Sequence, residues 1–260
     1  VGSEMCIRDR ATGVQMAKAA VLIGLGKSIA ELKAEGYLPS NMDGASLPEE
    51  TAIAVKAAVL PFARFRTPEG VVVDSLLSPE MRSTGEVMGL DKHYDTAFAK
   101  AQAGAGSPLP TSGKVFISVA NHDKRNVIIY AKMLESLGFE IVSTGGTAEV
   151  LRRNGLNSVI VASKFAEANG DHSIVDMVRN GDIDLILNTP AGGAARSDGY
   201  EIRAAAVSVG CPVMTTISEF AAAVQAINAL REHSWDIMSL QEHGVQLAAA
   251  VDARSEGGEA

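Results

Sequence analysis

A glycine turn within residues 139–147 carries the residue types that bind phosphate groups. Gly145 and Gly146 permit the backbone angles of a tight turn, and the apolar residues before them predict a buried strand. The turn leads into a predicted helix that begins near Thr147, and N–H groups at a helix start have no partner within the helix. With the hydroxyls of Thr144 and Thr147 beside them, these groups suit an anion. A structural turn with a threonine cap is the alternative interpretation.

Polar and cationic residues also follow the neighbouring apolar segments. Together with the turn, they form a set of candidate binding residues: Ser118, Lys124, Thr144, Gly146, Thr147, Lys164 and Asn188. Two lysines and several hydroxyls beside a helix start favour negative charge, so a phosphorylated small molecule is the simplest ligand. Taken alone, Lys124 and Lys164 are more typical of a solvated surface and Asn188 of a loop cap, so the prediction depends on the arrangement of the whole set.

Apolar strands that alternate with amphipathic helices predict the scaffold that positions these residues. The predicted strands lie at 114–120, 157–162, 183–188 and 212–216, and one more begins at residue 139. The predicted helices lie between and after these strands, at 123–137, 147–152, 173–179, 198–209 and 218–230. Such a pattern is typical of a parallel sheet covered by helices on both faces. Because ligands of these sheets bind at the carboxyl ends of the strands, the candidate residues are expected on one rim.

The N-terminal part of the chain follows a different pattern. It predicts helices at 14–25, 28–36 and 92–103 and a strand at 57–64, and the last helix has Tyr94, Ala97, Phe98 and Ala101 on its buried face. Residues 1–10 fit neither a helical nor a strand period, and we interpret them as a non-native scar. Glycine, proline and serine at 104–113 predict a linker between domains at 11–103 and 114–242, with a tail at 243–260.

Composition excludes several classes of function. With 260 residues and 47% hydrophobic content the chain can form a sizeable globular core. Its 23 basic against 31 acidic residues give a net charge of −8, which argues against a non-specific nucleic-acid binder. Two cysteines, Cys6 and Cys211, favour a reduced, cytoplasmic protein without a cysteine-based metal site. The apolar run at 19–26 is too short to span a membrane.

Several longer motifs resemble the large subunit of carbamoyl-phosphate synthetase. The segments ATGV at 11–14, VLPF at 59–62 and PEMRSTGEVMG at 79–89 are similar to the end of its second ATP-grasp unit. Residues 114–228, which include the motifs DK, STGGT, LNT and TT, resemble the methylglyoxal-synthase-like allosteric domain that follows it. The resemblance implies an α/β fold in which a partial α+β ATP-grasp segment precedes a C-terminal, parallel-sheet, Rossmann-like domain.

The resemblance also implies a function for the whole protein, of which this chain looks like a C-terminal fragment. It implies an ATP-dependent ligase that makes carbamoyl phosphate from bicarbonate, ammonia and two molecules of ATP, for pyrimidine and arginine synthesis. ATP and Mg²⁺ or Mn²⁺ would be its cofactors, and a glutaminase small subunit its partner. The family's catalytic motifs lie upstream of Ala11, so the resemblance assigns no catalytic residue, metal site or cofactor to this fragment.

The resemblance implies that the fragment carries an allosteric nucleotide site for UMP, with IMP as a second effector. Lys124, Thr144, Gly146 and Thr147 would hold the phosphate, and Ser118 would lie nearby. Lys164 and Asn188 would contact the phosphate, the sugar or the base.

Three positions depart from the family pattern. Pro190 stands where some relatives have a threonine, and proline cannot donate a hydrogen bond. Ala57 and Val213 stand where ornithine-binding relatives have a glutamate and a tyrosine, although Thr215 is retained. Losing a carboxylate that would meet an ammonium group predicts little or no activation by ornithine.

Two other functions fit parts of the sequence. One is a free-standing lyase like methylglyoxal synthase, with Asp123 and Asp171 as acids and His122 close by, but residues 188–191 lack the aspartate of that enzyme. The other is an interaction domain whose glycine turn is only structural. Assembly into a homo-oligomer is compatible with all three functions.

Overall fold

The structure is a computed structural model that describes residues 2–40, 51–65, 67, 75–76, 80–163, 173–190, 193–232, 236–246 and 249. Its helices are α1 (Gly2–Thr12), α2 (Met16–Gly24), α3 (Ile29–Ala34), α4 (Tyr94–Gly104), α5 (Val127–Ser136), α6 (Gly145–Arg153), α7 (Ile174–Arg179), α8 (Gly193–Val209) and α9 (Ile217–Glu232). Its strands are β1 (Ile53–Val59), β2 (Gly85–Asp91), β3 (Lys114–Ser118), β4 (Glu140–Ser143), β5 (Ile160–Val161), β6 (Leu185–Asn188) and β7 (Val213–Met214).

Five of the strands form one parallel sheet in the order β5-β4-β3-β6-β7. The central strand β3 pairs with β4 on one side and with β6 on the other, so Val115 lies next to both Ile141 and Leu185. The apolar segments that alternate with helices therefore form the parallel α/β sheet that the sequence predicts. This order places the ends of β3, β4 and β6 side by side.

Helices cover both faces of this sheet, as predicted. Successive residues of a strand point to opposite faces, and both Phe116 and Ile117 of β3 are fully buried. Ile117 packs in a core with residues of α5, α6 and α9, such as Phe220. Phe116 packs in a second core with residues of α7 and α8, such as Ile202. Burial on both sides explains the nearly continuous apolar sequence of the central strands.

The remaining two strands, β1 and β2, form a separate antiparallel pair. Gly89 of β2 lies against the backbone of α4, since a Cβ atom there would be 2.0 Å from the Ala97 carbonyl oxygen. Phe98 of α4 and Leu109 beyond it are buried in the same core as β3 and α9. A core residue therefore lies within the predicted linker at 104–113, while the division into domains stays a prediction.

Several predicted boundaries were wrong. Residues 2–12 form α1 where no regular element was expected, although a helix says nothing about whether residues 1–10 are native. The strand predicted at 57–64 begins at Ile53 and ends at Val59, and a 3-10 helix follows it at Phe62–Arg64. Pro61, which has no N–H to donate, lies between these two elements.

The face of α4 was also predicted incorrectly at one position. Ala97, Phe98 and Ala101 are buried as expected, but Tyr94 in the first turn is 45% exposed. Ser28 and Glu31 form a capping box at the start of α3, because each side chain bonds to the backbone N–H of the other residue.

Candidate functional site

The candidate residues meet at the carboxyl ends of β3, β4 and β6. Ser118 ends β3 and lies beside Asn188, which ends β6. Thr144 directly follows β4, which pairs with β3 on its other side. The structure therefore brings Ser118, Thr144 and Asn188 to one rim of the sheet, as the rule for parallel sheets predicts.

The turn after β4 presents backbone N–H groups at the start of α6. Thr144 is the N-cap residue, and its carbonyl oxygen accepts hydrogen bonds from the N–H groups of Thr147 and Ala148 at 3.0 and 2.8 Å. The N–H groups of Gly145 and Gly146 precede these first helical bonds, so they remain for a ligand. The helix therefore begins at Gly145 and not near Thr147. The threonine side-chain cap of the alternative interpretation is absent at Thr144.

The hydroxyl groups of the turn bond to neighbouring strands instead. The Ser118 and Thr144 hydroxyl oxygens lie 3.2 Å apart, which joins the end of β3 to the turn. Thr147 is 2% exposed, and its hydroxyl oxygen accepts a hydrogen bond from the Val119 N–H at 3.5 Å. Thr147 thus fixes the turn against the end of β3, and the Ser118 and Thr144 hydroxyls lie at the start of the same turn.

Lys124 places a positive charge over the first turn of α6. Its Nζ atom is 3.3 Å from the point that a Cβ atom on Gly146 would occupy. This ammonium group forms no ion pair or hydrogen bond with the described part of the chain. A cation beside the positive end of a helix dipole attracts an anion strongly and repels other cations. Gly146 allows this approach because it carries no side chain.

Asn188 is held from both sides. Its Nδ2 atom donates to the Ser118 carbonyl oxygen at 3.4 Å, and its Oδ1 atom accepts from Nη1 of Arg203 at 3.0 Å. Arg203 belongs to α8 and has no exposed surface. Sequence reasoning missed this residue, although its place beside Ile202 and within the apolar face of a helix is a signal that it points inward.

Two other predicted groups have structural roles or lie outside the described residues. Thr189 accepts a hydrogen bond from the Ala120 N–H at 2.8 Å, which ties the loop after β6 to the end of β3. Asp123, one of the acids considered for a lyase, lies 3.4 Å from Nε2 of His122. Lys164 and Asp171 lie outside the described residues, so the role of Lys164 stays a prediction.

The end of β7 contributes a helix cap to the rim. Thr216 accepts a hydrogen bond from the Glu219 N–H at 3.2 Å, and the Glu219 carboxylate accepts one from the Thr215 N–H at 3.4 Å. Burial raises the pKa of Glu219, and the hydrogen bond from Thr215 opposes this only partly. The threonines after β7 therefore start α9.

A cavity of about 310 Å³ lies apart from this rim, beside β2 and α4. It includes the ion pair of Asp91 and Lys100, whose atoms are 2.7 Å apart. Burial works against ionisation of Asp91, but hydrogen bonds from Lys100 and the His93 amide outweigh it and lower the pKa. None of the described candidate residues of the rim lines this cavity.

The described residues contain no group of three or more histidine, cysteine, aspartate or glutamate side chains placed to hold a metal ion. None of their helices combines the length and the apolar character that a membrane crossing requires.

Comparison with known proteins agrees with the resemblance found in the sequence. The MGS-like domain family matches residues 126–215, so the predicted α/β fold class is confirmed. The carbamoyl phosphate synthase large chain of Kocuria rhizophila is 68% identical over 237 residues, which are 90% of this chain and 21% of the relative. The large chains of Paenarthrobacter aurescens and Streptomyces griseus are 62% and 54% identical, over 94% of this chain and 22% of each relative. The chain thus spans about one fifth of the length of these relatives.

Proposed function

We propose, from the premise that this chain is a segment of a carbamoyl phosphate synthase large chain, that its five-stranded unit binds the phosphate of an allosteric nucleotide. UMP is the effector that we propose, with IMP as a competing ligand. In the whole protein, the regulated reaction is the ATP-dependent synthesis of carbamoyl phosphate from bicarbonate and ammonia. That reaction uses Mg²⁺ or Mn²⁺ with ATP, and a glutaminase small subunit supplies the ammonia.

One observation carries this proposal: the Lys124 ammonium group lies over the first turn of α6, 3.3 Å from the point where Gly146 would carry a Cβ atom. A phosphate at this place can accept hydrogen bonds from the amides of Gly145 and Gly146 and a charge-assisted bond from Lys124. The hydroxyl pair of Ser118 and Thr144 supplies further donors beside it. Phosphate, with three terminal oxygens, can use donors from several directions at once.

Regulation requires that the nucleotide prefer one conformation of the whole protein over another. The fold offers a packed connection between the rim and the N-terminal segment. Phe98 of α4 lies in one core with Ala148 of α6 and Phe220 of α9, and α4 in turn contacts β2 through Gly89. A change in the packing of α6 on the sheet can therefore alter the position of α4.

Isothermal titration of this chain with UMP tests the proposal. We expect saturable binding, competition by inorganic phosphate, and an affinity about tenfold weaker in Lys124→Met, because one charge-assisted hydrogen bond is lost. Lys132→Met is the matched control, since Lys132 is an exposed lysine further along α5. Absence of binding at millimolar UMP, or an equal loss in both variants, would refute the proposal.

A further inference from the structure

The largest side chain without exposed surface in the described part of the protein is an arginine. Nη1 of Arg203 donates to Oδ1 of Asn188 at 3.0 Å, at the end of β6. Gly199, one helical turn earlier in α8, gives this pair its space. A Cβ atom on Gly199 would be 2.3 Å from Nη1 of Arg203 and 2.6 Å from Oδ1 of Asn188.

The contact with Arg203 fixes the orientation of the Asn188 side-chain amide. A guanidinium group has only donors, so it requires the amide oxygen on its side. The Ser118 carbonyl has only acceptors, and it receives the Nδ2 group of Asn188 at 3.4 Å. Both neighbours therefore require the same orientation, and the amide oxygen is occupied. Among the described residues, the second N–H of Nδ2 has no partner, so it can donate to a ligand.

We infer that Arg203 is a positioning residue that holds Asn188 as a hydrogen-bond donor toward a bound nucleotide. This inference depends on the proposed function, and it assigns a chemical preference to the site. The nucleoside monophosphate must present an oxygen acceptor at Asn188, such as a ribose oxygen or a base carbonyl. Asn188 then reads the part of the ligand beyond the phosphate, while Lys124 and the start of α6 hold the phosphate itself.

Gly199→Ala tests this inference without removing either partner or any charge. The new methyl group displaces the Arg203 and Asn188 pair. We expect UMP affinity to fall about tenfold, because the hydrogen bond from Asn188 to the nucleotide is lost. Affinity for inorganic phosphate should change less than about twofold, because its ligands do not include Asn188. Gly104→Ala is the matched control in another helix, where the added Cβ atom meets Val87 only at an ordinary 3.5 Å.

A double-mutant cycle separates positioning from general damage. Asn188→Ala should weaken UMP binding as much as Gly199→Ala does, and the combined variant should be no weaker than Asn188→Ala alone. If Gly199→Ala does not fold, Arg203 is changed directly. Arg203→Lys keeps a donor and should preserve the ratio of UMP to phosphate affinity, whereas Arg203→Gln, which can donate or accept, should lower that ratio.

The outcomes are distinguishable. Wild-type chain that binds neither phosphate nor UMP would overturn the proposed function and this inference together. Wild-type chain that binds UMP, with UMP affinity unchanged in Gly199→Ala and Arg203→Gln, would overturn only the role of Arg203. Equal losses of phosphate and UMP affinity in these variants would also overturn the positioning role, because Arg203 would then only stabilise the site as a whole.

Discussion

Adding one methyl group at Gly146, in the first turn of α6, should weaken phosphate binding while it stabilises the protein. Gly145 and Gly146 both have ordinary helical backbone angles, so alanine fits either position without strain. Alanine in place of glycine in a helix contributes about 0.5–1 kcal/mol to the free energy of unfolding. Both variants should therefore be at least as stable as the wild-type chain.

The two positions differ in what the new Cβ atom meets. At Gly145 it meets no heavy atom within 4 Å, whereas at Gly146 it lies 3.3 Å from the Lys124 Nζ atom. The lysine end is flexible and can move by a few tenths of an ångström, so the fold is preserved. The shift moves the ammonium group away from the free amides, and a partial loss of its charge-assisted bond amounts to about 1 kcal/mol, or about fivefold in affinity.

Isothermal titration with UMP and thermal unfolding of the same samples measure both effects. We expect Gly146→Ala to bind UMP about fivefold more weakly with an equal or higher melting temperature. Gly145→Ala should bind with nearly wild-type affinity. If Gly146→Ala binds UMP as tightly as Gly145→Ala does, the Lys124 ammonium group does not hold the ligand at this turn, and the geometric argument fails.

Three further predictions concern stability and reactivity. Gly89→Ala should lower the free energy of unfolding by about 3 kcal/mol, because its Cβ atom would overlap the backbone of α4. Gly85→Ala, where the Cβ atom meets nothing within 4 Å, should change it by less than about 0.5 kcal/mol, as measured by urea unfolding followed by circular dichroism. Burial, together with the charge of Asp184, raises the pKa of Cys211 to about 12, so a maleimide should modify exposed Cys6 but not Cys211 in the folded chain, as read by mass spectrometry. Burial also raises the folded-state pKa of Glu219, so its contribution is present below the unfolded pKa and lost as pH rises through the folded pKa. The stability of Glu219→Gln relative to wild type should therefore increase as pH rises above the ordinary glutamate pKa of 4.5, and a difference that does not change with pH would contradict this.

The sheet and part of the rim were predictable because each strand has a characteristic pattern within a short stretch of sequence. Central strands buried on both faces, such as Lys114–Ser118, are almost continuously apolar, and this pattern identifies a parallel sheet without further information. The position of Ser118, Thr144 and Asn188 then follows, since the carboxyl ends of parallel strands share one edge.

Features that depend on contacts between distant segments were not predictable. A charged residue within a helix is normally on the surface, so the residue type of Arg203 outweighed the inward signal from its buried neighbour Ile202. Gly89 appears in the sequence as an ordinary strand residue, and its contact with α4 becomes apparent only in three dimensions. The start of α6 was misplaced because the Thr144 backbone, and not a threonine side chain, forms the first helical hydrogen bonds.

The site consists of two groups of residues that do different work, and this division explains why its halves can be tested separately. Thr147 and Asn188 use their acceptors within the protein, one for the Val119 amide and the other for Arg203, so they shape the site. Lys124 and the amides of Gly145 and Gly146 make no hydrogen bond within the described chain, so they remain for the phosphate. Because phosphate binding relies on backbone groups and one flexible cation, it should tolerate changes in α8. Recognition of the rest of the nucleotide depends on a rigid buried contact, and it should weaken when even one methyl group disturbs that contact.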